Sequence, residues 1–329
     1  MRKRGWNRTE EQGSSLWKDA FLRLSRNRAA MFSLLALALI FFTRKQSRKL
    51  FQERRDRIAL LPWLPHPNVQ DLSRIAESPS RDHWFGTDQL GRDLLARVLY
   101  GGRISLLVGV VATGVSLVIG VAYGLVSGYA GGRLDALMMR LVDVLFALPF
   151  IVLVIIFSLS VEEPARRLTQ WVSGMTGWSV EMVSPMTGLI PLFIAIGALG
   201  WLTLARIVRT QTMELKGQEF VEAARSLGIG HMKILFRHIA PNLFGAVIVY
   251  TTLAVPGIML LEAVLSFLGL GVKAPNSSWG TLIKEGADRM EVSPELLLFP
   301  ALLFSATLLA LNFLGDGLRD ALDPKSSKD

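Results

Sequence analysis

The stretch from residue 216 to residue 242, KGQEFVEAARSLGIGHMKILFRHIAPN, is polar and amphipathic, yet it lies between two long apolar runs. Its first half places four residues at helical spacing on one face: Phe220, Ala223, Ala224 and Leu227. Gly228 stands where that helix would end. A second short face follows, made of Met232, Leu235, Phe236 and Ile239. Because proline is tolerated in a first helical turn, Pro241 predicts re-entry into the membrane after an exposed docking loop.

The composition is that of a membrane protein. Hydrophobic residues make up 51% of the 329 residues and charged residues 19%, and the mean hydropathy is +0.39. The absence of cysteine excludes disulfides, iron–sulfur clusters and thiolate zinc sites, and the four histidines form no HExxH motif. The net charge of +9 favours contact with anionic lipid over nucleic acid, because the chain has no soluble basic domain.

The apolar runs predict an all-α integral membrane protein with about six transmembrane helices. The predicted spans are a short one at 29–42, followed by 104–127, 138–159, 188–208, 243–270 and 296–314. With six spans, both termini and the loop at 216–242 lie in the cytoplasm.

These spans divide the chain into five parts. A cytoplasmic segment at 1–28 contains an interfacial helix from residue 14, and the first span follows at 29–42. An extracytoplasmic segment at 43–103 includes seven basic residues between 44 and 57, which the positive-inside rule does not predict outside. A transmembrane domain at 104–315 and a cytoplasmic tail at 316–329 complete the chain.

Several local patterns give further expectations. Leu90, Leu94 and Val98 share one face of an amphipathic helix that Gly101 and Gly102 are expected to end. Residues 129–140 are expected to form a loop before the third span.

Two features are expected within the third span itself. Pro149 should bend this span, because proline lacks an amide hydrogen. Arg140 and Asp143, three residues apart, can pair or reach the interface.

The second span carries small residues at intervals of four: Ala112, Ser116, Gly120, Gly124 and Gly128. Such a face lets another helix approach closely, and the same face could instead line a pore. In the fifth span, Glu262 is an intramembrane carboxyl group with two readings, a functional group or a group that faces water near the outer end. Trp279 lies in the outer loop that follows.

The segment at 222–241 resembles the EAA signature of permease subunits of type I ABC importers. Glu222, Ala223 and Ala224 are followed after three residues by Gly228 and after twelve more by Pro241, while His238 and Ala240 depart from the pattern. Four further motifs strengthen the resemblance: HWFGTDQLGRDLL at 83–95, YGGRISL at 100–106, SFLGLG at 266–271 and GDGLRDALDP at 315–324. The chain is most similar to C-type permeases of oligopeptide and dipeptide importers, over residues 14–40 and 82–325 but not over 41–81.

The resemblance implies a type I ABC importer permease fold and half of a peptide pore in the bacterial inner membrane. It implies a B-type permease partner, two ATP-binding subunits and an extracytoplasmic peptide-binding protein. The ATP-binding subunits would dock on Phe220, Glu222, Ala223, Ala224, Leu227, Gly228 and Pro241. The chain has no P-loop, so ATP and magnesium would bind to the partner subunits, with no catalytic residue or cofactor here.

Other readings remain open at this point. Within the family, the cargo could be dipeptides, nickel or glutathione instead of oligopeptides, and Glu262 and Trp279 are candidates for a gate or a binding-protein contact. Outside the family, a secondary transporter or channel would show paired intramembrane charges or inverted repeats. A membrane-embedded enzyme would need clustered polar side chains at membrane depth.

Overall fold

Helices account for nearly all of the regular structure in the described part of the chain. The computed structural model describes residues 22–25, 27–42, 65–180, 183, 189–274 and 276–322. The helices are α1 (Arg28–Phe42), α2 (Leu94–Ala130), α3 (Gly132–Ala147), α4 (Phe150–Thr176), α5 (Ile190–Lys216), α6 (Glu219–Ser226), α7 (His231–Ile234), a π-helix (Leu235–Ile239), α8 (Ala240–Phe267), α9 (Trp279–Ala287) and α10 (Glu295–Leu322).

Four helical runs are long and apolar enough to cross a membrane: α2, α5, the continuous run His231–Phe267 and α10. The pair α3 and α4 makes a fifth if it counts as one broken span. Helix α1 has 15 residues and belongs to the shorter apolar helices. Membrane-spanning backbone must satisfy its hydrogen bonds internally, which the helices do.

The six-span topology stays a prediction, because the sixth span would have to be α1, which belongs to the shorter apolar helices. Most of the predicted interfacial helix at 14–28 and all of the basic residues between 44 and 57 lie outside the described residues.

Helix α2 corrects the expectation for the glycine pair. Asp93 caps the helix, because its side chain accepts a 2.7 Å hydrogen bond from the Ala96 amide. The helix then continues through Gly101 and Gly102 as one 37-residue element, so the expectation that they end a helix was wrong. They are contact sites: a Cβ on Gly102 would lie 2.4 Å from the Trp279 ring.

The third predicted span is a sharp corner. Pro149 precedes α4, and Leu148 before it has an extended ψ of 145°, as expected for a residue before proline. The axes of α3 and α4 differ by 95°, so the predicted bend is present and is larger than an ordinary kink.

One other expectation for this region was wrong. Helix α3 begins at Gly132, so much of the expected loop at 129–140 is helical. Of the two roles expected for Arg140 and Asp143, pairing with each other is not seen: Asp143 forms a 2.7 Å ion pair with Arg206 of α5, because the two helices bring these side chains together. The alternative, that they reach the interface, stays a prediction.

The small residues of α2 lie against α5. The Ser116 hydroxyl donates to the Gly197 carbonyl at 3.0 Å. A Cβ added to Gly120, Gly124 or Gly128 would come within 3.0 Å of α5 atoms, including a carbonyl oxygen in each case. All five stripe residues are buried in this way, Ala112 among them. Close approach of the two backbones therefore accounts for the small residues, and within this chain α5 covers the face.

The α2–α5 contact can be tested with a pair of substitutions on one helix. We expect Gly124→Ala to lower the unfolding free energy by about 1–3 kcal/mol, because the new methyl group meets the Ala205 carbonyl 2.6 Å away. The control is Gly114→Ala, since no atom lies within 4 Å of a Cβ there and alanine favours helix. Thermal unfolding of the purified protein in detergent gives the comparison, and equal stability of the two variants would contradict the packing argument.

Candidate functional site

Helix α6 is a short amphipathic helix that connects α5 to the next membrane helix. Its inward side carries Val221 and Ala224, which are buried on an apolar cluster with Ile234, Leu235 and Ile239. This packing holds α6 against the ends of the membrane helices. Ala224 was expected on the same face as Phe220, Ala223 and Leu227, and the structure corrects this, because it turns Ala224 inward.

The outward side of the loop is apolar and exposed. Leu227 is 80% exposed and Phe220 40% exposed, although both are large hydrophobic residues. The expected second face divides in the same way, with Leu235 and Ile239 buried while Met232 and Phe236 point outward. Adjacent exposed apolar side chains of this kind mark an interaction surface.

Gly228 ends α6 with a Schellman motif. The Gly228 amide donates to the Arg225 carbonyl at 2.9 Å, and the Ile229 amide donates to the Ala224 carbonyl at 3.1 Å. The φ angle of Gly228 is +71°, a conformation that residues with a Cβ rarely adopt. The glycine therefore sets the direction in which the chain leaves α6.

Pro241 lies in the first turn of α8, as predicted, but the helix does not restart there. The chain is helical without a gap from His231 to Phe267. The π-helix before the proline widens the turn, and the Ala240 amide donates to the Leu235 carbonyl five residues back. Local π adjustments of this kind help a membrane helix to satisfy the backbone groups that a proline leaves without a partner. The exposed loop and the membrane helix are thus one continuous element.

Glu222 lies on the exposed side of α6. Among the described residues, its carboxylate forms no ion pair, whereas its backbone carbonyl accepts a 3.1 Å hydrogen bond from the Ser226 hydroxyl. The carboxylate is therefore available to a cationic group on another protein.

Glu262 is fully buried, so the reading in which it faces water was wrong. Its carboxyl oxygens accept hydrogen bonds from the hydroxyls of Ser105 on α2, at 3.0 Å, and of Ser266 one turn away, at 2.6 Å. Ser105 also accepts the Trp279 amide at 3.1 Å. In the described part of the chain, Glu262 has no cationic partner. This network joins α2, α8 and the start of α9.

Trp279 is also buried, with 1% of its surface exposed. Its indole nitrogen donates to the Val98 carbonyl of α2 at 3.0 Å, and its ring contacts Phe304 of α10 with centroids 5.8 Å apart. Because the interior of the chain encloses Glu262 and Trp279, a gate or binding-protein role would have to act through their neighbours. That role stays a prediction.

The sequence reasoning missed a second polar cluster, which lies at the opposite end of α2 from the loop at 216–242. The Arg97 guanidinium, 4% exposed, contacts Asp88 at 2.7 Å and Glu285 of α9 at 2.6 Å. Asp88 also accepts the amides of Leu90 and Arg92. Arg97 lies in the first turn of an apolar helix, where a buried charge needs a partner. This position is the sequence feature that could have predicted the cluster.

Comparisons with known proteins cover both ends of the chain. The model of the family described as binding-protein-dependent transport system inner membrane component matches residues 120–328. A second model, described as the N-terminal TM domain of oligopeptide transport permease C, matches residues 15–79. The expectation that the resemblance is absent over 41–81 was therefore wrong, because the basic run between 44 and 57 lies inside a matched segment.

Three named relatives are similar over nearly the whole chain. The oligopeptide transport system permease protein OppC of Haemophilus influenzae is 45% identical, over 95% of this chain and 90% of its own. OppC of Bacillus subtilis is 40% identical, over 95% and 91%. The dipeptide transport system permease protein DppC of Bacillus subtilis is also 40% identical, over 94% and 86%.

The turn at Gly228 can be tested against a nearby glycine. We expect Gly228→Ala to destabilise the loop by about 1–2 kcal/mol, because alanine at positive φ is strained. Gly230→Ala is the control, since Gly230 has a φ of −64° and both sites have open space for a Cβ. Hydrogen exchange of the amides at 219–229 reports the difference, and equal protection in the two variants would contradict the assigned role.

The Glu262 network can be tested by exchanging the carboxyl group at nearly constant volume. We expect Glu262→Gln to keep most of the stability, because the amide oxygen accepts one serine hydroxyl and the amide NH2 group can donate to the hydroxyl oxygen of the other serine. Glu262→Met should cost about 1–3 kcal/mol for each hydroxyl left without a partner. Unfolding midpoints in detergent measure both, and a methionine variant as stable as the glutamine variant would show that the network contributes little.

Proposed function

The chain belongs to the family of binding-protein-dependent transport system inner membrane components, and we propose that it forms one half of the pore of an ATP-driven oligopeptide importer. The observation that carries this proposal is the two-sided character of α6, which is buried on one side and exposed on the other. Val221 and Ala224 of this helix are buried against the membrane helices, while Phe220, Glu222 and Leu227 point outward. A partner protein can therefore bind the helix without disturbing the membrane helices.

The loop at 216–242 is the docking surface for the ATPase subunits in this proposal. Phe220 and Leu227 supply apolar contacts, and Glu222 supplies a carboxylate for a partner Arg or Lys. Gly228 fixes the turn, and Pro241 follows in the first turn of the membrane helix. The chain itself hydrolyses nothing and holds no cofactor; ATP and magnesium bind to the partner subunits, because no P-loop occurs in this sequence.

The full importer in this proposal contains a B-type permease, two ATP-binding subunits and an extracytoplasmic peptide-binding protein. The chain is a multi-pass protein of the bacterial inner membrane, in contact with lipid, with both termini in the cytoplasm. In this orientation the loop at 216–242 faces the cytoplasm and the turn before α10 faces the outside, because the two lie at opposite ends of α8.

Oligopeptides are the proposed cargo, since the relative at 45% identity is named for oligopeptide transport. Sequence identity does not distinguish oligopeptide from dipeptide cargo, because the oligopeptide and dipeptide permeases of Bacillus subtilis are both 40% identical to this chain. Nickel and glutathione are the further alternatives within the family. Family membership favours any of these over a secondary transporter or a membrane-embedded enzyme.

Docking can be tested by placing a charge on the exposed apolar surface. We expect Leu227→Asp to weaken binding of the ATPase subunits by about 2 kcal/mol, or about thirtyfold, which is typical of a central apolar contact. The measurement is the amount of ATPase subunit that co-purifies with the permease pair.

Val292→Asp is the matched control. Val292 is 81% exposed and lies before α10, at the other end of α8 from the loop. We expect this variant to retain the ATPase subunits fully. Normal co-purification with Leu227→Asp, or equal loss in both variants, would contradict docking at α6.

A further inference from the structure

Both ends of the α6 segment meet a single residue of α2, Tyr129. Lys216 is the last residue of α5 before α6, and its ammonium group donates to the Tyr129 carbonyl at 2.6 Å. His231 is the first residue of the helix after the Gly228 turn, and its Nδ1 lies 2.9 Å from the Tyr129 hydroxyl. The residues that flank α6 on each side are therefore hydrogen-bonded to the same residue, one to its backbone and one to its side chain.

The aromatic ring of Tyr129 adds to these polar contacts. The Tyr129 and His231 rings meet edge to face, with centroids 5.9 Å apart. The Lys216 ammonium lies 5.5 Å from the centre of the Tyr129 ring, within cation–π range. Tyr129 also packs against the apolar cluster that holds Val221 and Ala224. It thus lies beneath α6 and next to the end of α2.

Helix α2 extends from this point to the outer side of the protein. Its 37 residues span about 55 Å at 1.5 Å per residue. Its far end carries Arg97 and Ser105, which contact Glu285 and Glu262 in the outer clusters. A displacement of the inner end of a continuous helix is carried along its axis, because every turn is hydrogen-bonded to the next.

We propose that Tyr129 is a positioning residue that transmits motion of α6 to α2, through its contacts with Lys216 and His231. The inference rests on the proposed docking of ATPase subunits at α6. When those subunits move α6, the flanking residues carry Tyr129 with them, and α2 moves together with the adjoining end of α5. Val221 and Ala224 hold α6 in place, while Tyr129 links its position to that of the pore helix.

The test removes one hydroxyl group. The complete importer, with Tyr129→Phe in this chain, is reconstituted in proteoliposomes and supplied with ATP and a mixture of tri- to pentaalanine. We expect the peptide taken up per ATP hydrolysed to fall by about three- to tenfold, the range set by the net free energy of one hydrogen bond. Co-purification of the ATPase subunits should be unchanged, because the outward face of α6 is intact.

Tyr123→Phe is the matched control on the same helix. The Tyr123 hydroxyl donates to the Met138 carbonyl at 2.8 Å, so this variant also loses one hydrogen bond of a tyrosine on α2. We expect its peptide-to-ATP ratio to stay at the wild-type value. His231→Leu should lower the ratio as Tyr129→Phe does, and the double variant should show no further loss, because both changes remove one contact.

The outcomes separate the inference from the proposed function. If the unaltered importer binds no ATPase subunit and shows no ATP-dependent uptake, the proposed function fails and the inference with it. If the unaltered importer works and Tyr129→Phe keeps the wild-type ratio, the inference alone is overturned. A lower unfolding midpoint in Tyr129→Phe with an unchanged ratio also overturns it, since the hydroxyl would then be structural only.

Discussion

The close approach of α2 and α5 is the contact on which the other features depend. Lipid provides no hydrophobic driving force between two apolar helices, so their association needs tight packing and polar contacts. Gly120, Gly124 and Gly128 allow that packing, because any side chain there would meet a carbonyl oxygen of α5. At the end nearest the loop at 216–242, Arg209 of α5 holds the Asp135 carboxylate of α3 through two bonds of 2.5 Å each. These ends of α2, α3 and α5 are therefore held together next to that loop.

This arrangement explains why α6 can be exposed and still well positioned. An eight-residue helix is too short to be stable alone in water. Val221 and Ala224 bury their side chains on the ends of the membrane helices, and the Schellman turn at Gly228 directs the chain into the next helix. The remaining side chains of α6 are then free to face a partner. Stability comes from the inward side, and in the proposed function the outward side recognises the partner.

The sequence predicted the helical membrane class, the bend at Pro149 and the exposed loop because each depends on local patterns. Apolar length, proline and the amphipathic period act within a few turns of one helix. Predictions failed where the partner is distant in sequence. Gly102 was expected to end a helix, but its lack of a side chain leaves room for the Trp279 ring, 177 positions further on. Asp143 was expected to pair with Arg140 of its own helix or to reach the interface, and its ion-pair partner is Arg206 of another helix.

The burial of Glu262 also could not be predicted from the sequence, and here the reason is the choice between water and hydrogen-bond donors. An isolated carboxyl group in an apolar helix indicates either a water-facing position or a buried one with hydrogen-bond donors. The choice depends on Ser105 of α2, whose hydroxyl lies 3.0 Å away, and on the loop that brings Ser278 and Trp279 inward. None of these positions is fixed by the period of α8. Because Ser105 and Tyr129 lie on the same helix, the buried network around Glu262 and the exposed loop at 216–242 are connected through α2, a relation that exists only in the folded chain.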